Sequence, residues 1–521
     1  MSISKQIIKL LIVLQPILCL GQTPSFITDS LDSYIEQGLK DWDLPGLSIV
    51  IVKDGKPVVL KGYGVTNIST KEKVNENTLF MIASNTKLFT GLSLAQLEYH
   101  KKLSLNDKIT SYFPDYKLYD PATTELVTIK DLLCHRIGTK TFQGDFTFWN
   151  SKYSRKEIMQ KMRLLKPVGL FRQDYGYCNS CFMTAGEVIP KVMNTSWEQY
   201  VQDSILTPLQ MNRSTSISHG MADKNNVATP YTTSFTGELR QVPYDEWDNL
   251  GPAASIISSV NDLSHWLMFQ LDSGQYNGKQ IMPFSVLQKT RDVNIIITSR
   301  KSSVLPMHFR GYGLGLSSAD YNGRQIYWHT GGAAGMVSNV CFVPEENLGI
   351  AILTNNDNQG FFEALRYQLL DAYLGVSYVN RSKQFLPNSV ADMKQQLEEI
   401  ATWKARIKEK TPALPIKAYT GTYNNELYGS INISQKGKSL VIKFNGHDDL
   451  TARLDYMDND QWLLQYDNIE YGVYAISFKI NGKEKKVSSV TIKANDFVEY
   501  DPYVFTKQSS SPFLLFSPGV F

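Results

Sequence analysis

The chain has 521 residues, too many for one ordinary domain and enough for two or three. Apolar residues make up 42% and charged residues 20%, a globular composition able to bury a large core. Lys and Arg number 53 against 50 Asp and Glu, and the resulting net charge of +3 excludes an electrostatic case for nucleic acid or an anionic membrane surface as partner.

Lys5 and Lys9 precede an apolar run over 10–14, then Pro16 and a Cys19-Leu20-Gly21 end with small residues at −3 and −1. That layout predicts a signal peptide over 1–21, cut after Gly21, and a periplasmic or secreted protein. Leu18 is bulky where a lipoprotein signal needs a small residue, which argues against anchoring through Cys19. No later stretch approaches the ~20 apolar residues of a membrane span. Cys134, Cys178, Cys181 and Cys341 remain, too sparse for a disulfide framework. Cys178-Asn179-Ser180-Cys181 has the spacing of a redox pair, but no thioredoxin-like pattern surrounds it. It reads as small residues packed at the start of a helix. The seven histidines never fall at metal-ligand spacings, so neither a zinc site nor any other cofactor is expected.

Residues 47–66 predict a β-hairpin turning at Asp54-Gly55. Leu88, Leu92 and Ala95 recur at i, i+4, i+7 and predict a helix ending near His100-Lys101-Lys102. A long, mostly helical stretch over 105–300 follows. Strands return at 311–316, 325–328, 339–343 and 349–353. One sheet therefore draws strands from both ends of a domain, with a helical block between. Residues 390–410 predict a charged connecting helix, broken by Pro412 and Pro415. Short strands at 430–433, 440–444, 462–464, 475–480 and 487–492 then predict a separate all-β module, a small barrel or a sandwich. The apolar tail over 509–521 suggests no function.

Three motifs carry chemistry. Ser84-Asn85-Thr86-Lys87 opens the first long helix. A serine hydroxyl is a poor nucleophile until a neighbour takes its proton, and a lysine one helical turn on has an amine within reach. Tyr177-Cys178-Asn179 supplies a phenol able to relay protons and an amide able to bind a substrate amide. His329-Thr330-Gly331-Gly332 follows a predicted strand, where small residues let a substrate backbone lie alongside. Each motif alone is equally at home as a helix cap, a core tyrosine with a turn asparagine, or a Gly-rich turn.

Together, in this order and spacing, they resemble the signatures of the penicillin-recognising serine hydrolases, the class C β-lactamase-like and penicillin-binding-protein-like branch. Pro45-Gly46-Leu47, Lys61-Gly62-Tyr63-Gly64, Leu105-Asn106-Asp107, Asp131-Leu132-Leu133 with His135, and Thr354-Asn355 resemble further landmarks of that family. The resemblance covers about 30–375. It implies a mixed α/β domain, with an antiparallel sheet flanked by helices, beside an all-helical subdomain. Residues 22–380 would form the hydrolase, 381–415 a helical linker, and 416–521 a lipocalin-like all-β domain. It further implies acylation of Ser84, proton transfer by Lys87 and Tyr177, and substrate contacts from Asn179, His329, Thr330 and Gly331. The N–H groups of Ser84 and Gly332 would make the oxyanion hole. The expected substrate is a small molecule or a peptidoglycan-derived ester, amide or β-lactam. The alternative is a non-catalytic sensor of penicillin or peptidoglycan with the same fold, against which the intact triplet argues. The true β-lactamases usually have Lys-Thr-Gly where this chain has His-Thr-Gly, which weakens the case for β-lactam turnover and favours esterase or D-Ala-type peptidase activity.

Overall fold

The computed structural model describes residues 23–407, 411–482 and 484–508. The expected signal peptide and the apolar tail lie outside the described residues. Among the described residues, no helix is long and apolar enough to cross a membrane.

The hydrolase part is built on an eight-stranded antiparallel sheet. Its strands are β1 (Gly46–Lys53), β2 (Lys56–Gly64), β3 (Ile295–Thr298), β4 (Arg310–Tyr312), β5 (Ser317–Tyr321), β6 (Arg324–Ala333), β7 (Met336–Val343) and β8 (Leu348–Thr354). Their spatial order is β2-β1-β8-β7-β6-β5-β4-β3. The N-terminal hairpin thus joins strands from the far end of the domain, as expected from the sequence. Side chains alternate across each strand. Leu47, Ile49 and Ile51 of β1 face a layer made by helices α1 (Leu31–Asp41) and α6 (Phe361–Tyr373). Val50 and Val52 face the opposite core, which contains α2 (Thr86–Tyr99), α5 (Val260–Leu271) and the helical block.

Two expectations shift in register. The strand expected over 311–316 is broken into β4 and β5, because Gly313-Leu314-Gly315 turns away. Gly315 has a φ of +90° and packs on the Lys87 carbonyl, which leaves no room for a side chain. The strand expected over 325–328 runs on as β6 through the whole His-Thr-Gly-Gly motif.

Helix α7 (Arg381–Ala405) leaves the domain nine residues earlier than the sequence pattern suggests, with Pro387 tolerated in its second turn. It leads to a closed eight-stranded barrel: β9 (Gly421–Asn425), β10 (Gly429–Lys436), β11 (Ser439–Phe444), β12 (Thr451–Tyr456), β13 (Gln461–Tyr466), β14 (Val473–Asn481), β15 (Lys486–Ile492) and β16 (Tyr503–Lys507). Pairing of Tyr423 with Lys507 closes the ring, so the module is a barrel and not a sandwich.

The barrel is docked on the helical block. Helix α3 (Asp145–Phe148) pushes the Phe146 ring among Tyr428, Phe444, His447, Tyr466, Tyr471 and Tyr503, with centroid distances from 5.2 to 6.5 Å. The buried Glu499 carboxylate accepts the Gly144 and Phe146 N–H groups at 2.9 and 3.0 Å. His447 Nε2 lies 2.9 Å from the Trp149 carbonyl, and Tyr153 donates its hydroxyl to the Tyr428 carbonyl at 2.7 Å.

Candidate active site

Ser84 sits in a single 3-10 turn, Ala83–Asn85, that feeds directly into α2. Ala83, just before it, is held at a φ of +48°, a left-handed conformation that costs a non-glycine residue energy and often marks a functional turn. The tight turn and the helix bring Lys87 under Ser84. Lys87 Nζ donates at 3.0 Å to Ser84 Oγ, at 2.7 Å to Asn179 Oδ1 and at 2.9 Å to the Ala253 carbonyl. Those three acceptors match the three N–H bonds of an ammonium. They match a neutral amine equally well, if its lone pair accepts the serine proton while two N–H bonds hold the asparagine and the carbonyl.

Lys87 is fully buried. Desolvation pushes its pKa down to about 7, against the opposing charges of Asp145 and Cys178. Its Nζ also lies 4.7 Å above the centre of the Tyr177 ring. Burial raises the Tyr177 phenol well above its ordinary pKa, and the Ser84 hydroxyl partly offsets that rise. The phenol is therefore neutral near pH 7. The His135 ring centre lies 4.2 Å from that of Tyr177, and His135 accepts the Cys178 N–H through Nδ1.

Asn179, the first residue of α4 (Asn179–Gly186), is committed at both ends of its amide. Oδ1 accepts from Lys87, and Nδ2 donates to Asp145 Oδ2 at 2.7 Å. One N–H remains for a substrate. Asp145 is fully buried, and that burial raises its pKa. A chain thus runs from Asp145 through Asn179 and Lys87 to Ser84.

The third motif occupies one edge of the cleft. Strand β5 pairs with β6 only as far as Ser317 opposite Trp328, so among the described residues His329–Ala333 has no strand on that side. Its free backbone edge is the kind that binds an extended ligand. Gly331 is required here: a Cβ would stand 2.0 Å from the Ile82 carbonyl and 2.6 Å from Ser338 Oγ, directly behind the serine turn. Gly331→Ala is expected to cost about 1–3 kcal/mol of stability through overpacking and to lower activity by displacing Ser84. Paired thermal-melt and esterase assays check this. His329 is buried, 2.9 Å from the Tyr312 hydroxyl through Nε2 and 2.7 Å from the Thr330 carbonyl through Nδ1. Desolvation, with the nearby Lys87 charge, pushes its pKa down to about 3, so the imidazole is neutral.

Ser84, Tyr177, Asn179, His329, Thr330 and Gly332 line a cleft of about 380 Å³ together with Phe142, Trp149, Tyr175, Tyr312, Trp328, Phe362 and Phe497, while Lys87 lies buried beneath it. Among the described residues Asp357 is the one charged side chain in the lining, and no Lys or Arg joins it. Phe497 comes from the barrel, and its ring lies 2.6 Å from where a Gly332 Cβ would stand. The structure therefore brings Ser84, Lys87, Tyr177, Asn179, His329, Thr330, Gly331 and Gly332 to one place. It adds Asp145, Tyr312, the Ala253 carbonyl and Phe497, none of which has a local sequence signal.

The family model described as Beta-lactamase matches residues 31–374, and one described as a domain of unknown function (DUF3471) matches residues 405–507. The Staphylococcus aureus (strain MW2) Protein flp is 29% identical over 334 residues, 63% of this chain and 63% of that protein. The chain thus spans less than two thirds of the length of such relatives. The Unguisins hydrolase ungD of Aspergillus violaceofuscus is 24% identical over 445 residues, 80% of this chain and 78% of that protein. In fold, the chain is similar to the octameric penicillin-binding protein homologue from Pyrococcus abyssi, with TM-score 0.58 and 22% identity over 92% of this chain and 99% of that one. The chain belongs to the beta-lactamase family and shares the fold of the penicillin-binding protein homologue, here with an all-β barrel after the family domain.

Proposed function

We propose that the protein is a serine hydrolase that cleaves an ester or an amide through an acyl-enzyme on Ser84. The observation that supports this is the 3.0 Å contact between the Lys87 amine and Ser84 Oγ at the floor of an open cleft, with the amine's pKa near neutrality. Neutral Lys87 takes the serine proton as Oγ attacks the carbonyl carbon. Tyr177, neutral and in reach of Ser84, passes a proton to the leaving group. Water then attacks the acyl-enzyme and the proton path runs in reverse. The N–H groups of Ser84 and Gly332 hold the oxyanion, and the free edge of β6 aligns the substrate.

The cleft favours substrates that need no cationic partner for a carboxylate. His329 stands where a lysine would bind that group, and it is neutral and engaged by Tyr312 and Thr330. Aromatic walls suit an apolar acyl or peptide side chain. Aryl esters and carboxylate-free D-amino-acid amides are therefore expected to turn over faster than a chromogenic cephalosporin. The hydrolase name of the fungal relative agrees with this reading.

The proton inventory sets the pH dependence. Below about pH 7 the Lys87 lone pair is occupied and the nucleophile is idle. kcat/KM is expected to rise with pH through about 7, and a pH–rate profile on a p-nitrophenyl ester checks this. The deciding experiment is labelling with a fluorophosphonate and, separately, a fluorescent penicillin, read by intact mass. Label that is absent in Ser84→Ala and turns over supports the hydrolase. Stable penicillin label without turnover would make the protein a sensor, and no label with either probe would refute both.

A further inference from the structure

Cys178 and Cys181 take no part in the proton transfers assigned to Ser84, yet Cys178 lies between Tyr177 and Asn179. Cys178 is the N-cap of α4, in an extended conformation (φ −135°, ψ 107°), and Cys181 is the third helical residue. An N-cap side chain folds back over the N–H groups of the second and third helical residues. That brings the two sulfurs together. Cys181 Sγ lies 2.7 Å from Cys178 Sγ, and Ser180 Oγ lies 3.3 Å away. A disulfide needs about 2.0 Å. Both thiols are free in this structure, and only about 0.7 Å separates their approach from a covalent bond. Cys178 is 2% exposed and Cys181 0%.

We propose that Cys178 and Cys181 are a disulfide site, oxidised in the working enzyme, which pins the Tyr177–Asn179 segment against Lys87. The bond is independent of the hydrolase reading, while its catalytic consequence rests on it. Formation consumes one external disulfide of the glutathione type or of a protein oxidant. The Cys178 thiolate attacks that disulfide and releases the first oxidant thiol, the Cys181 thiolate then attacks the Cys178 sulfur of the mixed disulfide and releases the second, and the two thiols carry away the two electrons and two protons. Burial places this exchange before α4 is packed or during its transient opening, and afterwards shields the bond from reductants. In the dithiol state Cys178 is an ionisable neighbour of Lys87. Its negative form raises the lysine pKa and so favours the idle ammonium. Oxidation removes that charge.

Both cysteines fall in one tryptic peptide, residues 173–191. The protein is equilibrated with oxidised glutathione, denatured, alkylated with iodoacetamide without reductant, and digested. The expected peptide carries no alkyl group and weighs two hydrogens less than the dithiol. Prior reduction in denaturant should add two alkyl groups. A doubly alkylated peptide from the oxidised sample overturns the proposal. The catalytic consequence is read separately. The acid limb of ester hydrolysis is expected at higher pH for reduced than for oxidised protein, and redox-independent for the Cys178→Ser, Cys181→Ser double variant. An identical limb in both redox states of the wild type overturns the link to Lys87. If the disulfide is found but Ser84 takes no fluorophosphonate, the hydrolase reading fails and the disulfide stands.

Discussion

Lys87→Met is expected to lower kcat on an activated ester by about a hundred- to ten-thousand-fold while leaving the protein folded. Methionine keeps the length and the apolar stem of the side chain, so packing under Ser84 is retained. What disappears is the base and the three-point hold on Ser84, Asn179 and Ala253. Stability should move the other way. Lys87 is wholly buried and its folded pKa of about 7 lies below the ordinary lysine value of ~10.4. Between those two pH values the unfolded chain holds a proton that the native state has released. Wild-type stability therefore gains from this group as pH rises, and the penalty is greatest at and below pH 7. Removing the amine should raise the melting temperature at pH 6 more than at pH 9. The strain of keeping a cation in the interior is the condition for having a base near neutrality, a trade of stability for activity. Melting curves at the two pH values, with kcat alongside, check both halves. A melting temperature lowered at pH 6 would refute the account of Lys87 as a desolvated base.

Phe146→Ala is expected to destabilise the protein by about 3–5 kcal/mol, the usual cost of emptying an aromatic site. The ring is 1% exposed and is surrounded by six aromatic groups of the barrel. Its neighbour Asp145 holds the Asn179 amide, so activity should fall together with stability. Asp145→Ala separates the two effects. It leaves the barrel contact intact but frees the Asn179 amide to turn its N–H towards Lys87, which costs the lysine an acceptor. The expected signature is a fall in kcat, a raised KM because the Asn179 N–H left for substrate is misaligned, and an acid limb moved to lower pH, since the Asp145 group that raises the Lys87 pKa is gone. Urea melts and pH–rate profiles of both variants test this. An unaltered pH profile in Asp145→Ala would show that the carboxylate does no more than fill space.

The relation of Ser84 to Lys87 was legible because it is local: three residues on one helical turn define the geometry wherever that turn sits. Tyr177 and His329 arrive at the same place only through the tertiary fold. Their assignment came from resemblance to a family and from no property of their own neighbourhoods. Asp145 had no signal, since Gly-Asp-Phe reads as an ordinary helix start. In the barrel, the strands rich in β-branched residues were legible. Thr451–Tyr456 and Gly421–Asn425 were not, because both are largely polar and owe their extended form to pairing with neighbours. The extension of β6 through Gly331 and Gly332 was hidden for a similar reason. Glycines weaken a strand by propensity, yet the approach of the Ile82 carbonyl admits nothing larger.

An eight-stranded barrel of this size has an interior wide enough for one small molecule or for its own side chains. Here aliphatic and aromatic side chains are packed together, among them Tyr428, Ile442, Phe444, Leu464 and Phe505, and Phe146 from the helical block joins them. The helix that carries Phe146 also carries Asp145, which accepts from the Asn179 amide. By thermodynamic reciprocity, a ligand that tightens the catalytic array would also strengthen the docking of the barrel.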